Sequence, residues 1–265
     1  MASQCLRDGV LPPNQREQAL TSNHILTPML RKLSKWADLD EDDQRAVLAL
    51  PHEKRSIRKG NYIVREGEKP TRSCVLLSGF AYRHKVVGNG GRQILSVHMS
   101  GDMVDLQNSF LSIADHDVQA LTDSIVAFIP ADVLQELAFN RPAVGIALWR
   151  DTLVDGAVHR EWTANVGRRD ARTRMAHLLC EFGVRLQDAG LGELCSYEIP
   201  MTQEQLADCT GLTPVHVNRT LKALDREGLT ERTLRSVSIS NWATLAHAGD
   251  FDARYLHLEN KQSLG

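Results

Sequence analysis

Long apolar runs are missing from this 265-residue chain: no 18-residue stretch is apolar, which excludes a membrane-spanning helix. An apolar signal core is missing too. The first residues, MASQCLRDGVLPPNQREQ, are polar, so no secretory signal is expected and the chain reads as cytoplasmic. The five cysteines, Cys5, Cys74, Cys180, Cys195 and Cys209, include no CxxC pair and none at metal spacing from a histidine. They read as reduced thiols and speak against a disulfide framework, a zinc site or an iron–sulfur cluster. A large excess of positive charge is also absent. The net charge is −2, which is not the footprint of a non-specific DNA coater.

The charge is unevenly placed. From Gln93 to Asn140 there is no Lys or Arg, yet five Asp fall between 102 and 123; five Arg fall between 168 and 185. A near-neutral chain with a cationic C-terminal half suits a site-specific DNA binder whose other half does something else.

Catalytic motifs are missing as well. Gly88–Asn89–Gly90–Gly91 is not followed by a Walker Lys-Ser/Thr and opens no helix, so it is a hairpin tip and not a phosphate cradle. Asp115–His116–Asp117 has the look of a catalytic or metal cluster. Strand alternation, however, would point His116 away from both carboxylates, and a polar loop is the expectation. No enzyme activity, metal or cofactor is expected.

What is present is clearest at residues 201–229, MTQEQLADCTGLTPVHVNRTLKALDREGL. Thr202 and Gln205 form a capping box for one short helix. The chain turns at Thr210–Gly211–Leu212. Thr213 caps a second helix that begins at Pro214, where the missing N–H costs nothing. Val217, Leu221 and Leu224 form one buried stripe, and Gly228 stops the helix. His216, Asn218, Arg219 and Lys222 lie on other faces. This is a helix-turn-helix whose second helix would enter a DNA major groove. Leu229–Thr230–Glu231 and Val237–Ser240 read as strands around a tip at Arg232–Thr233–Leu234–Arg235, which makes a winged helix. A second reading keeps the fold but gives the winged helix to protein contacts, beneath a ligand- or protein-sensing module.

Upstream, His24–Trp36 and Asp40–Leu50 look helical. From Ser56 to Pro130 short strands (Tyr62–Val64, Cys74–Leu77, Ala81–Val87, Gln93–His98, Ile125–Ile129) alternate with Gly turns, a compact antiparallel barrel. A short helix, Ala131–Phe139, precedes a long one running to about Val166. On the long helix Ile146, Trp149, Leu153, Ala157 and Arg160 recur at heptad-like spacing, a dimerisation seam; the alternative is a helix packed only on its own barrel. His159–Trp162 reads as a hinge, an inter-subunit contact or a solvated face. Arg168–Asp188 forms another helix with Met175, Leu178, Leu179 and Phe182 inward.

This order resembles the Crp/Fnr family of bacterial transcription regulators over nearly the whole chain. The matching residues are KGNYIVREGE (59–68), LLSGFAYRH (76–84), RQILSVHMSGDMVDL (92–106) and GLTPVHVNRTLKAL (211–224). The resemblance implies an α+β fold: an N-terminal cyclic-nucleotide-binding-like β-roll, a long dimerisation helix and a C-terminal winged helix. The expected units are a loose segment 1–27, the roll 28–140, the helix 141–166, the winged helix 167–250 and a tail 251–265. It further implies a homodimer on a palindromic promoter site, in contact with RNA polymerase as activator or repressor, under an unidentified small-molecule effector.

The family's effector residues transfer poorly. Members that bind cyclic AMP carry Gly-Glu-Leu after the Gly-Asp of the roll and an Arg on the next strand. Here Gly101–Asp102 is followed by Met103–Val104–Asp105–Leu106–Gln107, and Asp115–Ala120 stands where the Arg belongs. With no cation near a buried phosphate, cyclic AMP bound in the usual mode is not expected. Cys5 alone cannot hold the iron–sulfur cluster of the oxygen-sensing branch. Haem-sensing members use His or Cys ligands on the barrel; His84 and His98 are available there, and each reads as a structural histidine.

By position in the motif, base contacts fall on Val215, Asn218 and Arg219. Arg219 is suited to guanine, Val215 to a thymine methyl and Asn218 to adenine or the backbone. His216, Thr213, Thr202 and Gln203 are expected on phosphates, together with Lys222 and with Arg232 and Arg235 of the wing. Thr202 and Thr213 serve as helix caps with or without DNA.

Overall fold

A computed structural model describes residues 24–233 and 235–258. Most of the expected loose segment (1–23, with Cys5), Leu234 of the wing tip and residues 259–265 of the tail lie outside the described residues.

Among the described residues, helices α1 (Thr27–Trp36) and α2 (Glu41–Leu48) come first, each shorter than the sequence suggested. Asp40 caps α2 by accepting from the Asp43 amide at 2.8 Å. The roll has two antiparallel sheets. One has the order β1-β7-β3, from Glu53–Ile57, Ser124–Pro130 and Arg72–Ser78. The other has the order β2-β6-β4-β5, from Tyr62–Val64, Asp117–Ala120, Ala81–Val86 and Arg92–His98. Strand β1 escaped the sequence reading because it does not alternate, EKRSI being nearly all exposed; β6 (DVQA) does alternate, but over four residues only. The Gly88–Gly91 tip joins β4 to β5, and Gly90 there has φ +82°, which suits glycine.

Helix α3 (Ala131–Asn140) leads into α4 (Pro142–Arg168), whose 27 residues span about 40 Å. The chain breaks at Arg169–Asp170, and Asp170 caps α5 (Ala171–Asp188). The helix expected to start at Arg168 therefore starts three residues later, because the Asp170 carboxylate satisfies the Thr173 amide at 2.9 Å. The winged helix comprises β8 (Ser196–Glu198), α6 (Gln203–Thr210), α7 (Pro214–Arg226), β9 (Thr230–Arg232) and β10 (Ser236–Ile239), followed by α8 (Trp242–Ala248). Its sheet has the order β8-β10-β9, one strand more than the hairpin read from sequence.

Burial organises these parts into three apolar clusters. One fills the roll around Cys74, Leu76, Val118 and Val126. A second joins α1, α2, α3 and the first half of α4 to the roll. The third is continuous from the roll (Tyr82, Ile94, Val97, Leu121) through Val158 and Trp162 of α4 to Met175, Leu178, Leu179 and Phe182 of α5 and Val217, Leu221 and Leu224 of α7. The winged helix thus shares a core with the roll.

Candidate nucleic-acid interface

Helix α7 is positioned by three local devices. Gln205 and Thr202 close the capping box on α6: the Gln205 amide donates to Thr202 Oγ1 at 3.2 Å, and the Thr202 amide donates to Gln205 Oε1 at 2.9 Å. Gly211 turns the chain at φ +63°, and a side chain there would sit 3.2 Å from Val166 Cγ1 of α4. Thr213 then caps α7, its hydroxyl accepting from the His216 amide at 3.2 Å. Val217, Leu221 and Leu224 anchor the inner face, all buried.

The outer face is open. Val215 is 81% exposed. Gln203, Val215, Asn218, Arg219 and Lys222 line one shallow concavity, joined by Pro214, Asp225 and Arg226. Sequence reasoning missed Arg226, although 215, 219, 222 and 226 share a helical face and the period could have found it. Thr202, Thr213 and Arg235 are exposed. His216 does not line it.

Arg232 departs from its expected place. It ends β9, paired with Val237, and does not sit at the tip. Its guanidinium is half-buried near Asp225 and Tyr197, and burial lowers its pKa. Arg235 is the exposed cation of the wing.

The cationic run 168–185 is also largely engaged by the protein's own acidic groups and carbonyls. Arg169 pairs with Glu161 at 2.7 Å, and Arg172 with Glu227 at 2.5 Å. Arg174 donates to the carbonyls of Asn165 and Arg169, and Arg185 to that of Val97. Arg169, Arg172 and Arg174 hold helices together, and Arg185 ties α5 to β5 of the roll.

On α4, Ile146, Trp149 and Leu153 are 48%, 68% and 55% exposed, and Arg160 is exposed too. Four of the five seam residues therefore face outward. Ala157 does not: it is buried in its own subunit, on the side that carries Val158 and Trp162 inward. Trp162, expected in a hinge or a solvated face, donates to the buried Glu181.

Against expectation, the roll interior contains a cation. Arg83 of β4 is buried, donates to the Val104 carbonyl at 2.9 Å and pairs with Asp155 of α4 at 2.7 Å. His116 also corrects the sequence reading, for its Nδ1 lies 2.6 Å from Asp115 Oδ1. Strand β6 begins only at Asp117, so alternation does not govern residues 115 and 116. His98 contacts Ser96 Oγ at 2.9 Å, and His84 leans on Tyr82. Among the described residues no group of three or more His, Cys, Asp or Glu is arranged to hold a metal, and no helix is long and apolar enough to cross a membrane.

A β-roll joined by a long helix to a winged helix with an open reading face defines a DNA-binding regulator. The comparisons agree on which one. Residues 54–141 match the cyclic nucleotide-binding domain, and residues 173–248 match the Crp-like helix-turn-helix domain. The transcriptional activator protein FnrL of Cereibacter sphaeroides is 29% identical over 201 residues, 74% of this chain and 80% of that protein. The probable transcriptional regulator flp of Lacticaseibacillus casei is 28% identical over 209 residues, 78% of this chain and 91% of that one. The structure of FixK2 from Bradyrhizobium japonicum superposes with a TM-score of 0.70 at 24% identity, covering 77% of this chain and all (100%) of that one. The c-di-GMP responsive global regulator CLP of Xanthomonas campestris superposes at 0.63 with 16% identity, covering 76% of this chain and 100% of that one. This chain belongs to the Crp/Fnr family of DNA-binding transcription regulators. Dimers and palindromic sites are typical of that family.

Proposed function

We propose that this regulator works in the cytoplasm, without catalytic activity, as a homodimer on a palindromic promoter site, where it contacts RNA polymerase. The outward seam Ile146, Trp149, Leu153 and Arg160 pairs two copies of α4. Each α7 enters a major groove. Arg219 donates to guanine O6 and N7, Val215 packs on a thymine methyl, and Asn218 reads adenine or the backbone. Thr202, Gln203, Thr213, Lys222, Arg226 and Arg235 hold phosphates. The units 28–140, 141–166 and 167–250 serve as sensor, dimer helix and reader. Cyclic AMP in the usual mode is not the signal: the buried cation of the roll, Arg83, is already neutralised by Asp155.

One observation carries this reading. A helix whose inner face is buried presents Val215 and Arg219 outward from its first two turns, the part that meets base edges in a helix-turn-helix. A gel-shift titration against salt tests it. A dimer making several phosphate contacts should lose about three orders of magnitude or more in affinity between 50 and 200 mM salt. Affinity that ignores salt would favour the protein-contact reading of the winged helix.

A further inference from the structure

Residues 249–258 lie beyond the match to the helix-turn-helix domain, which ends at 248. They run back across α4 and α5. The Tyr255 ring stacks on His177 of α5, with 17° between the planes. The Tyr255 hydroxyl donates to Glu181 Oε2 at 2.7 Å. Leu256 is buried, and Leu258 packs against both the roll-side and the reader-side cores.

Glu181 has no exposed surface. Besides Tyr255, its carboxylate accepts from Trp162 Nε1 of α4 at 2.9 and 3.0 Å and from Arg185 Nη1 at 3.2 Å. Arg185 also donates to the Val97 carbonyl of the roll at 2.6 Å. A buried carboxylate is tolerated only when its acceptor sites are filled, so its donors are also geometric constraints. Trp162 ties α5 to α4, Arg185 ties it to the roll, and Tyr255 closes the remaining side. Helix α5 is the platform on which α7 packs, so its angle about α4 sets where the reading face points.

We propose that Tyr255 and Glu181 are positioning residues that fix the half-site spacing this regulator accepts, an inference that rests on the dimeric reading above. Tyr255 does not touch DNA; it acts through α5. A dimer with both reading helices held at one angle prefers one separation of half-sites, and a loosened one tolerates its neighbours.

The test uses the full chain. Wild type, Tyr255→Phe and Glu181→Gln are titrated on a palindrome selected with wild type, and on the same palindrome with one or two base pairs added to or removed from its centre. Thermal unfolding of each variant is recorded alongside. In Tyr255→Phe the preference for the best spacing over its neighbours should fall about threefold or more, mainly through weaker binding to the best site, as lost preorganisation requires. An unchanged spacing preference, or an equal loss at every spacing, overturns the inference. If Tyr255→Phe does not fold, Leu258→Ala asks the same question from the far end of the segment. Wild type that binds no palindrome better than a scrambled duplex overturns the dimeric reading instead.

Discussion

Arg92 at the start of β5 forms a 2.7 Å ion pair with Asp208 of α6, the helix that precedes the reading helix. Gln93 reinforces it by donating to the Asp208 carbonyl at 2.7 Å. The roll therefore grips the winged helix directly, not only through α4. Both charged groups are partly buried, so the pair should show a coupling energy of about 0.5–2 kcal/mol in a double-mutant cycle of Arg92→Ala and Asp208→Asn, read by urea unfolding. Additive effects would mean that roll and winged helix do not dock this way in solution.

Arg219→Ala should leave stability near wild type, since the side chain is exposed and lines an open face. Discrimination at one base pair per half-site should fall by about 1–3 kcal/mol. Competition with single-base operator variants measures it. A uniform loss across all positions would make Arg219 a phosphate contact.

Trp149 and Leu153 are large apolar side chains left outside the subunit core. Leu153→Asp puts a charge into the seam, and Trp149→Ala removes its largest contact. Sedimentation should show each variant shifted toward monomer, by about 2 kcal/mol or more in dimer stability. A dimer of unchanged strength in both would place the interface elsewhere.

Acid should destabilise this protein well above the carboxylate range. Burial, then the charge of Arg83, pushes His98 down from 6.5 to about 3. A folded pKa below the unfolded one means that the contribution is present above pH 6.5 and is lost as pH falls toward 3. From pH 6.5 to pH 5 His98 alone should cost about 2 kcal/mol. His84, His116 and His177 are shifted in the same direction by burial. Urea unfolding at pH 7, 6 and 5 should show the decline, and His98→Gln should flatten it. Equal slopes in wild type and variant would mean that His98 is charged in the fold.

The winged helix was legible because its punctuation is local. Thr202, Gln205, Gly211, Thr213 and Pro214 each act within four residues, and the stripe Val217–Leu221–Leu224 needs only the helical period. The barrel was legible through its glycines, although β1, with no alternation to show, and β6, with only four residues of it, were not. What sequence could not disclose was where charges end up. Arg232 looked like a wing-tip cation but turns toward Asp225 and Tyr197. The run from Arg168 to Arg185 makes the C-terminal half cationic, but Arg169, Arg172, Arg174 and Arg185 are engaged in contacts within the protein. Arg83 inside the roll, Ala157 inside the subunit and the junction at Glu181 arise from long-range packing, for which local pattern carries no signal.

The central claim is that two copies of α7 read one duplex across a dyad. Fragments selected from random DNA by the purified protein, then footprinted, address it most directly. The account predicts two protected half-sites about one helical turn apart, inverted about a centre, with protection lost in Leu153→Asp. A single unrepeated protected site, or recovered fragments without a shared inverted sequence, would contradict it.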